Sequence, residues 1–374
     1  MKVLFIVPYP TEGPSNRYRV EQYLPFLKEH GIHYCLRPFI TSEFYKILYS
    51  KGNKIKKTTY FLSSCIKRLS DIIRIINYDI IFIHIEAFPF GPPLLEWIFY
   101  MIKKPIVFDF EDAIYLSSSD GRNRFKWLKF PQKFYSNIKM SSHIIVCNNY
   151  LKEKFYNYNS NITIIPTSIN TDKFSVRNGK DLNNELIIGW IGSHTTLPCL
   201  NQIIPALQEL SKKYKFTLKI VGGGRDFEVS GVKVVNEKWT LEKDVENYQS
   251  LDIGVYPLPD NEWAKAKTPF KTIQYMSVGV PTVASNVGGN REIIQDGING
   301  FLASTEEEWI EKLSLLIENS ELRRRLGMAG RKTVEERYSV KVNAPKYLEI
   351  FKKVYEERYK TPSPHLSPKG RGER

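Results

Sequence analysis

Residues 263–300 read WAKAKTPFKTIQYMSVGVPTVASNVGGNREIIQDGING. The segment opens as a loop carrying Lys265 and Lys267 and continues as a short helix from about Pro269 to Val278. It closes on the tight turn Gly279-Val280-Pro281, then passes through the apolar strand PTVAS and a glycine pair into another helix. A strand without a polar face, set between helices, is the unit from which a parallel sheet buried under two helical layers is assembled.

Outward from this unit the same alternation runs along the chain. Toward the N-terminus, strands are expected at VLFIV (3–7), HYCLRPF (33–39), DIIFIHI (79–85), PIVFDF (105–110), HIIVC (143–147) and ITIIP (162–166). Around the opening segment they are expected at LIIGWI (186–191), FTLKIV (216–221), VKVVN (232–236), DIGVY (252–256), PTVAS (281–285) and GFLA (300–303). Leu197, Leu200, Ile204 and Leu207 keep helical spacing, as do Trp309, Leu313 and Leu316. The polar, turn-rich run NTDKFSVRNGKDLNN (170–184) separates the two sets of strands. The fold class is therefore α/β, with two doubly wound Rossmann-like domains over 1–170 and 171–340. A helix over 341–360 is expected to pack back toward the first domain, followed by a disordered tail, 361–374, rich in Pro, Gly, Ser and charge.

Composition supports two such units. The 374 residues are 42% hydrophobic and 25% charged, ordinary globular proportions at a length typical of two domains. Wholesale disorder, a coiled coil and a collagen-like chain are excluded. The formal net charge is +14, which asks for an anionic partner. Residues 1–172 carry 23 basic and 14 acidic side chains, so the first half holds most of the excess. Cys35, Cys65, Cys147 and Cys199 show no metal or disulfide spacing. VLFIVPYP is too short for the apolar centre of a signal peptide. The longest apolar stretch, Tyr78–Ile102, is interrupted by Asp79, His84, Glu86, Glu96 and Gly91-Pro92-Pro93, which a spanning helix does not tolerate. A cytoplasmic protein, peripheral on the inner face of the plasma membrane, is the expectation.

In open parallel sheets ligands bind beyond the carboxyl ends of strands, and two facing sheets make a cleft. The helix beginning near Pro269 offers unpaired N–H groups and partial positive charge to a phosphate, with Thr268 and Phe270 at its mouth. Lys267 and Lys271 add full charges, and Gln274 lies one turn further in. On spacing alone, two solvated lysines and a Gln covering the helix face fit equally well.

The segment resembles the donor site of family 4 glycosyltransferases, retaining enzymes of GT-B architecture. In that family a Glu-x7-Glu element precedes the small-residue turn; aligned here, Ala266 takes the first glutamate's place and Gln274 the second's. A capsule and surface-polysaccharide subgroup uses K-x-x-x-K-x-x-Q-Y-M instead, which Lys267, Lys271, Gln274, Tyr275 and Met276 match in order. The resemblance spans most of the chain up to the tail. It implies that Gly13, Ser15, Arg17 and Arg19 face the cleft, and that Ser193, His194 and Cys199 stand where many members carry an Arg/Lys pair. Donor-binding charge then comes from Lys267, Lys271 or Arg225, which follows Gly222-Gly223-Gly224.

His84 ends an apolar strand and reads either as a satisfied core residue or, by the resemblance, as catalytic. Glu111 occupies the place of a histidine frequent in the wider family, and with Asp112 it either orients an acceptor hydroxyl or caps the next helix. Asp109-Phe110-Glu111 has the form of a metal-binding Asp-x-Asp, but that motif belongs to a different architecture. No metal or other cofactor is expected, since lysines and a helix N-terminus can meet a leaving diphosphate. Two basic stretches remain. Residues 41–74 hold Lys46, Lys51, Lys54, Lys56, Lys57, Lys67, Arg68 and Arg74, and residues 121–139 interleave Arg122, Arg124, Lys126, Lys129, Lys133 and Lys139 with Phe125, Trp127, Phe130, Phe134 and Tyr135. Both suit an anionic leaflet or an ordinary charged face.

The resulting expectation is a hexosyl-type glycosyltransferase, moving a sugar with retention from a nucleotide-sugar donor to a growing, lipid-linked surface glycan. The expected partners are that donor, a glycan or glycolipid acceptor and an anionic membrane surface, and not nucleic acid. The catalytic set is His84, Glu111, Asp112 and Lys271. The rivals are a nucleotide-sugar epimerase and a non-catalytic, membrane-docked partner in polysaccharide assembly.

Overall fold

The computed structural model describes residues 1–48, 50–116, 130, 132–176 and 185–359. The first sheet comprises β1 (Lys2–Val7), β2 (His33–Pro38), β3 (Ile80–His84), β4 (Ile106–Phe110), β5 (His143–Val146) and β6 (Ile162–Ile164), in the order β2-β1-β3-β4-β5-β6. The second comprises β7 (Leu186–Ile191), β8 (Phe216–Val221), β9 (Lys233–Glu237), β10 (Ile253–Tyr256), β11 (Thr282–Ser285) and β12 (Phe301–Ala303), in the order β12-β11-β10-β7-β8-β9. Every pairing is parallel. Two parallel-sheet α/β domains, as the apolar runs require, form the molecule. The strand order reverses between β1 and β3 in one sheet and between β7 and β10 in the other, so each sheet has a crevice at its carboxyl edge there.

Alternate residues of each strand feed opposite layers. Leu4 and Ile6 pack with Ile81, Ile83 and Phe108 on one face, while Val3, Phe5 and Val7 pack with Phe82 and Ile145 on the other. That second face is covered by the Val340–Tyr359 helix. Its Tyr347 and Phe351 rings lie 4.4 Å from Tyr23 and 5.9 Å from Phe5. Each such side chain contributes about 1.5–3 kcal/mol of burial, so the last helix of the described chain is part of the first domain's core. In the second domain, Gly254 on β10 lets the Phe270–Ser277 helix lie close, because a Cβ there would stand 2.6 Å from the Tyr275 ring.

No helix among the described residues is long and apolar enough to cross a membrane. Arg122, Arg124, Lys126, Lys129, Phe125, Trp127 and the 361–374 tail lie outside the described residues. Two basic residues expected on the surface are buried instead. Lys133 pairs with Glu86 at 3.2 Å and donates to the Phe88 carbonyl, and Arg68 pairs with Asp71 at 3.1 Å. Apolar surroundings make an unpaired charge costly there, so each has taken a carboxylate partner.

Candidate active site

Between the two carboxyl edges lies a cavity of about 410 Å³, lined from both domains. The first domain supplies Ser15, Arg17 and Tyr18 from the Pro14–Arg19 helix, Glu111 and Asp112 from the end of β4, and Thr167 beyond β6. The second supplies Gly192, Ser193 and Thr196 after β7, Gly222 after β8, Trp239 after β9, and Lys267, Thr268, Phe270, Lys271 and Gln274 at the start of the Phe270–Ser277 helix.

Local backbone explains these placements. Gly13 precedes the Pro14–Arg19 helix where a Cβ would meet that of Tyr9 at 2.5 Å. Gly222 holds φ +82° and comes so near that a Cβ would stand 2.4 Å from the Gly192 carbonyl oxygen, which brings the two glycine loops together. Ile85 and Asp112 both adopt φ +65°, one residue past His84 at the end of β3 and one past Glu111 after β4. A β-branched residue in the left-handed region costs of order 1–3 kcal/mol and persists only where surroundings enforce it. The Ile85 N–H is held by the Asp109 carbonyl at 2.8 Å.

The two lysines differ. The Lys267 ammonium sits 3.0 Å from Asp112 Oδ2 and 4.9 Å from the centre of the Trp263 ring. Burial works against its charge, but Asp112 prevails and pushes its pKa above the ordinary lysine value. Lys271 reaches only Tyr248 Oη and Gln274 Oε1, each at 3.4 Å, and makes no ion pair among the described residues. Burial, with Lys267 adding repulsion against the pull of Asp244, brings it down to about 8. Gln274 Oε1 also accepts from Tyr248 Oη at 2.7 Å, which fixes the amide. Arg17 donates to the Thr11 and Glu12 carbonyls, both at 3.0 Å, with its guanidinium 5.9 Å from the Trp239 ring centre.

The walls touch across the cleft. Tyr18 Oη donates to Asp244 Oδ2 at 3.0 Å, Thr167 and Thr268 hydroxyls meet at 3.3 Å, and the Tyr18 and Phe270 rings are 4.5 Å apart. Ala266 is wholly buried among first-domain apolar residues, with its carbonyl 3.6 Å from Cys147 Sγ. Ala266, expected from the resemblance to stand in a glutamate's place, is an interdomain packing contact.

Of the residues expected from sequence, Arg17, Glu111, Asp112, Ser193, Lys267, Thr268, Phe270, Lys271 and Gln274 are brought to one cavity. Gly13 sits behind the wall. His194 and Arg225 are exposed outside the lining, because their loops turn outward after Gly192 and Gly222. Arg19, expected at the cleft, is fully buried against Asp109 and the Ile165 carbonyl. His84 is also fully buried: Nδ1 lies 2.6 Å from Asp109 Oδ2, and Nε2 lies 2.6 Å from Ser15 Oγ. Ser15 in turn donates to Glu111 Oε1 at 2.5 Å, while Thr167 donates to Glu111 Oε2 at 3.1 Å. Burial alone would raise the Asp109 carboxyl, but the Arg19 charge and the His84 hydrogen bond hold it below the usual range.

Tyr18, Thr167, Trp190, Trp239, Asp244 and Tyr256 line the cavity without having been expected. Most lie at or just beyond a strand's carboxyl end, a positional signal present in the sequence. No cluster of three or more His, Cys, Asp or Glu able to hold a metal occurs among the described residues.

Residues 185–319, most of the second domain, match the family model described as glycosyl transferases group 1. The chain is 24% identical over 197 residues to spore coat protein SA of Bacillus subtilis, covering 48% of this chain and 52% of that protein. It is likewise 24% identical over 223 residues to a capsular polysaccharide biosynthesis glycosyltransferase, CapM, of Staphylococcus aureus, covering 54% and 56%. The chain thus spans about half the length of these curated relatives. Among solved structures, a glycosyltransferase from Rickettsia africae superimposes with a TM-score of 0.68 at 18% identity, over 94% of this chain and 98% of the other. Anabaena HepE in complex with UDP-glucose superimposes with a TM-score of 0.66 at 12% identity, over 94% and 100%. The two facing domains are those of the GT-B fold, and the second matches group 1 glycosyltransferases.

Proposed function

We propose that the protein is a glycosyltransferase that moves a hexosyl group from a nucleotide-sugar donor to a growing, lipid-linked surface glycan, with retention at the anomeric carbon. The carrying observation is the Lys271 ammonium, without an ion-pair partner among the described residues, at the amino end of the Phe270–Ser277 helix, inside the interdomain cavity. A diphosphate placed there meets that cation, helix N–H groups and Lys267. Such charge, pre-set at the cavity wall, stabilises the leaving nucleoside diphosphate. In this reading the transfer needs no metal. Tyr248 and Gln274 keep Lys271 aimed, and Arg17 and Ser193 border the donor.

Support for the donor comes from HepE, solved with UDP-glucose, and for a surface glycan from the spore coat and capsular names of the relatives. The membrane surface is supported by apolar side chains left in solvent. Leu62, Ile66, Leu69, Ile73, Ile76, Leu94, Trp97, Tyr100 and Met101 are all more than half exposed on adjoining elements of the first domain. Lys54, Lys56 and Lys103 stand exposed around them.

The test is incubation with a panel of nucleotide sugars, with and without glycolipid acceptor. Acceptor-dependent nucleotide release is expected, and Lys271→Ala is expected to lower turnover about 10²-fold with folding intact. Unchanged turnover removes Lys271 from the site. A second reading, an epimerase on the same architecture, is favoured by one observation: the closely spaced His84, Ser15 and Glu111. An isomerised nucleotide sugar in place of released nucleotide identifies that activity.

A further inference from the structure

The contacts around Ser15 fix a count of protons. Ser15 Oγ lies 2.6 Å from His84 Nε2 and 2.5 Å from Glu111 Oε1. A hydroxyl carries one hydrogen, and each of two contacts this short needs one. A second proton therefore resides on His84 Nε2 or on the Glu111 carboxyl. On the far side of the ring, Nδ1 faces Asp109 Oδ2 at 2.6 Å, and both oxygens of that carboxylate also accept from Arg19. With Asp109 ionised against Arg19, Nδ1 is the donor. Serine, histidine and aspartate in this order also occur where serine is a nucleophile and a neutral histidine takes its proton. Here Glu111 claims the hydrogen of Ser15 from the other side, which makes Ser15 a bridge between two ionisable groups.

We propose that Arg19, Asp109, His84 and Ser15 are a positioning chain for Glu111, in which the His84 imidazolium, acting through Ser15, holds the Glu111 carboxylate ionised at the cavity wall to receive the acceptor hydroxyl's proton. This rests on the transfer reading and deepens it, by assigning the proton to Glu111 and not to the departing phosphate. Each end of the Ser15 bridge favours the charge-separated arrangement. His84 faces the Asp109 anion, and Glu111 has Lys267 among its cationic neighbours and Thr167 as a donor. Arg19 offsets Asp109 and His84 offsets Glu111, so the buried chain carries no net charge. Among the described residues the other ionisable groups facing it include the Tyr23 and Tyr347 phenols and the Cys147 thiol, all near Arg19 and kept neutral by burial. The left-handed residues Ile85 and Asp112 lock the strand ends that carry His84 and Glu111.

In the transfer step the bond from the anomeric carbon to phosphate breaks first, its electron pair leaving on the diphosphate. The acceptor oxygen then bonds that carbon on the face the diphosphate left, while its O–H bond breaks and the proton passes to Glu111, so that configuration is retained. Glu111 returns the proton to solvent when the products depart.

The chain can be examined without turnover. Nitrogen-15 NMR of the His84 ring in the full-length protein near neutral pH is expected to show both nitrogens protonated. Ser15→Ala and Glu111→Gln are each expected to convert it to a neutral ring bearing hydrogen on Nδ1. A neutral ring in the wild type, or a doubly protonated ring surviving in both variants, overturns the proposal. In kinetics, Glu111→Gln is expected to lose about 10²-fold in kcat with donor affinity retained. A kcat within about twofold of the wild type also overturns it. His84→Gln is expected to lower kcat with the donor KM unchanged, whereas a packing defect would move both. A kcat that stays at the wild-type value counts against the chain. A wild type that transfers no sugar from the panel refutes the transfer reading and leaves the ring measurement standing.

Discussion

Lys271 carries its charge under two opposing pressures, and its response to pH follows from them. Burial and Lys267 disfavour the ammonium, Asp244 favours it, and the balance falls near 8. Below that pH the group is a cation; as pH rises through 8, the free protein loses the charge that the proposed nucleotide-sugar donor would need. kcat/KM for the nucleotide sugar is therefore expected to fall on the alkaline side with its midpoint near 8. In kcat the same limb is expected at higher pH, because a bound dianion favours the protonated amine. Lys271→Arg is expected to abolish the limb, since a guanidinium stays charged throughout. Rate profiles of nucleotide release check this, and a limb that persists in the arginine variant removes Lys271 as its source. Sequence spacing placed both lysines near the helix start but treated them alike. What separates them is Asp112, held at φ +65° after β4 in the other domain, and no local pattern reports a partner 155 residues away.

At the scale of elements, twelve expected strands are present within about two residues of their expected limits; the central runs, apolar on both faces, have few other places to go, while the edge strands β2 and β9 keep exposed residues. The 197–207 stretch is partly different: it opens as a 3₁₀ segment, Leu197–Ile203, and becomes α-helical only at Ile204, where Pro205 sets the new first turn. Less legible was the way one element holds another. Tyr275 leans on Gly254 and its hydroxyl accepts the Ile191 N–H at 3.0 Å, tying the Phe270–Ser277 helix to the end of β7, where the Gly192–Thr196 loop begins. Tyr275→Phe leaves that buried N–H without its acceptor, which costs about 1–3 kcal/mol. A lower melting temperature and a raised KM for the donor are expected together, since the Gly192–Thr196 loop begins at this contact. Calorimetry and steady-state kinetics check the pair, and a stable variant with unchanged KM would show that the loop is held by its own hydrogen bonds alone.

Across the whole molecule, the proposed transfer has one domain grip the departing charge and the other present the acceptor, so on that reading the first domain's outer surface decides where the acceptor comes from. Its charge excess was legible by counting, but the apolar component was not. Along the Lys54–Leu69 helix, Leu62, Ile66 and Leu69 have the spacing of a core-facing stripe, and only the packed structure shows them facing solvent. Ile66 is 70% exposed and Ile73 is 75% exposed, so among the described residues neither is desolvated by a neighbour. Inserting both into a leaflet removes enough apolar surface to contribute about 2–4 kcal/mol, and the surrounding lysines add attraction to acidic headgroups that salt weakens. The double variant Ile66→Glu, Ile73→Glu keeps the core intact because neither side chain contributes to it. Its binding to phosphatidylglycerol-containing vesicles is expected to fall about tenfold or more, while nucleotide release from soluble donor stays near the wild-type rate. Raising the salt concentration is expected to weaken the wild type further but not to the level of the variant, since the apolar share is unscreened. Vesicle cosedimentation across a salt series reads both components at once. Wild-type binding by the double variant would show that this face lies away from the membrane and that the acceptor reaches the cleft from solution.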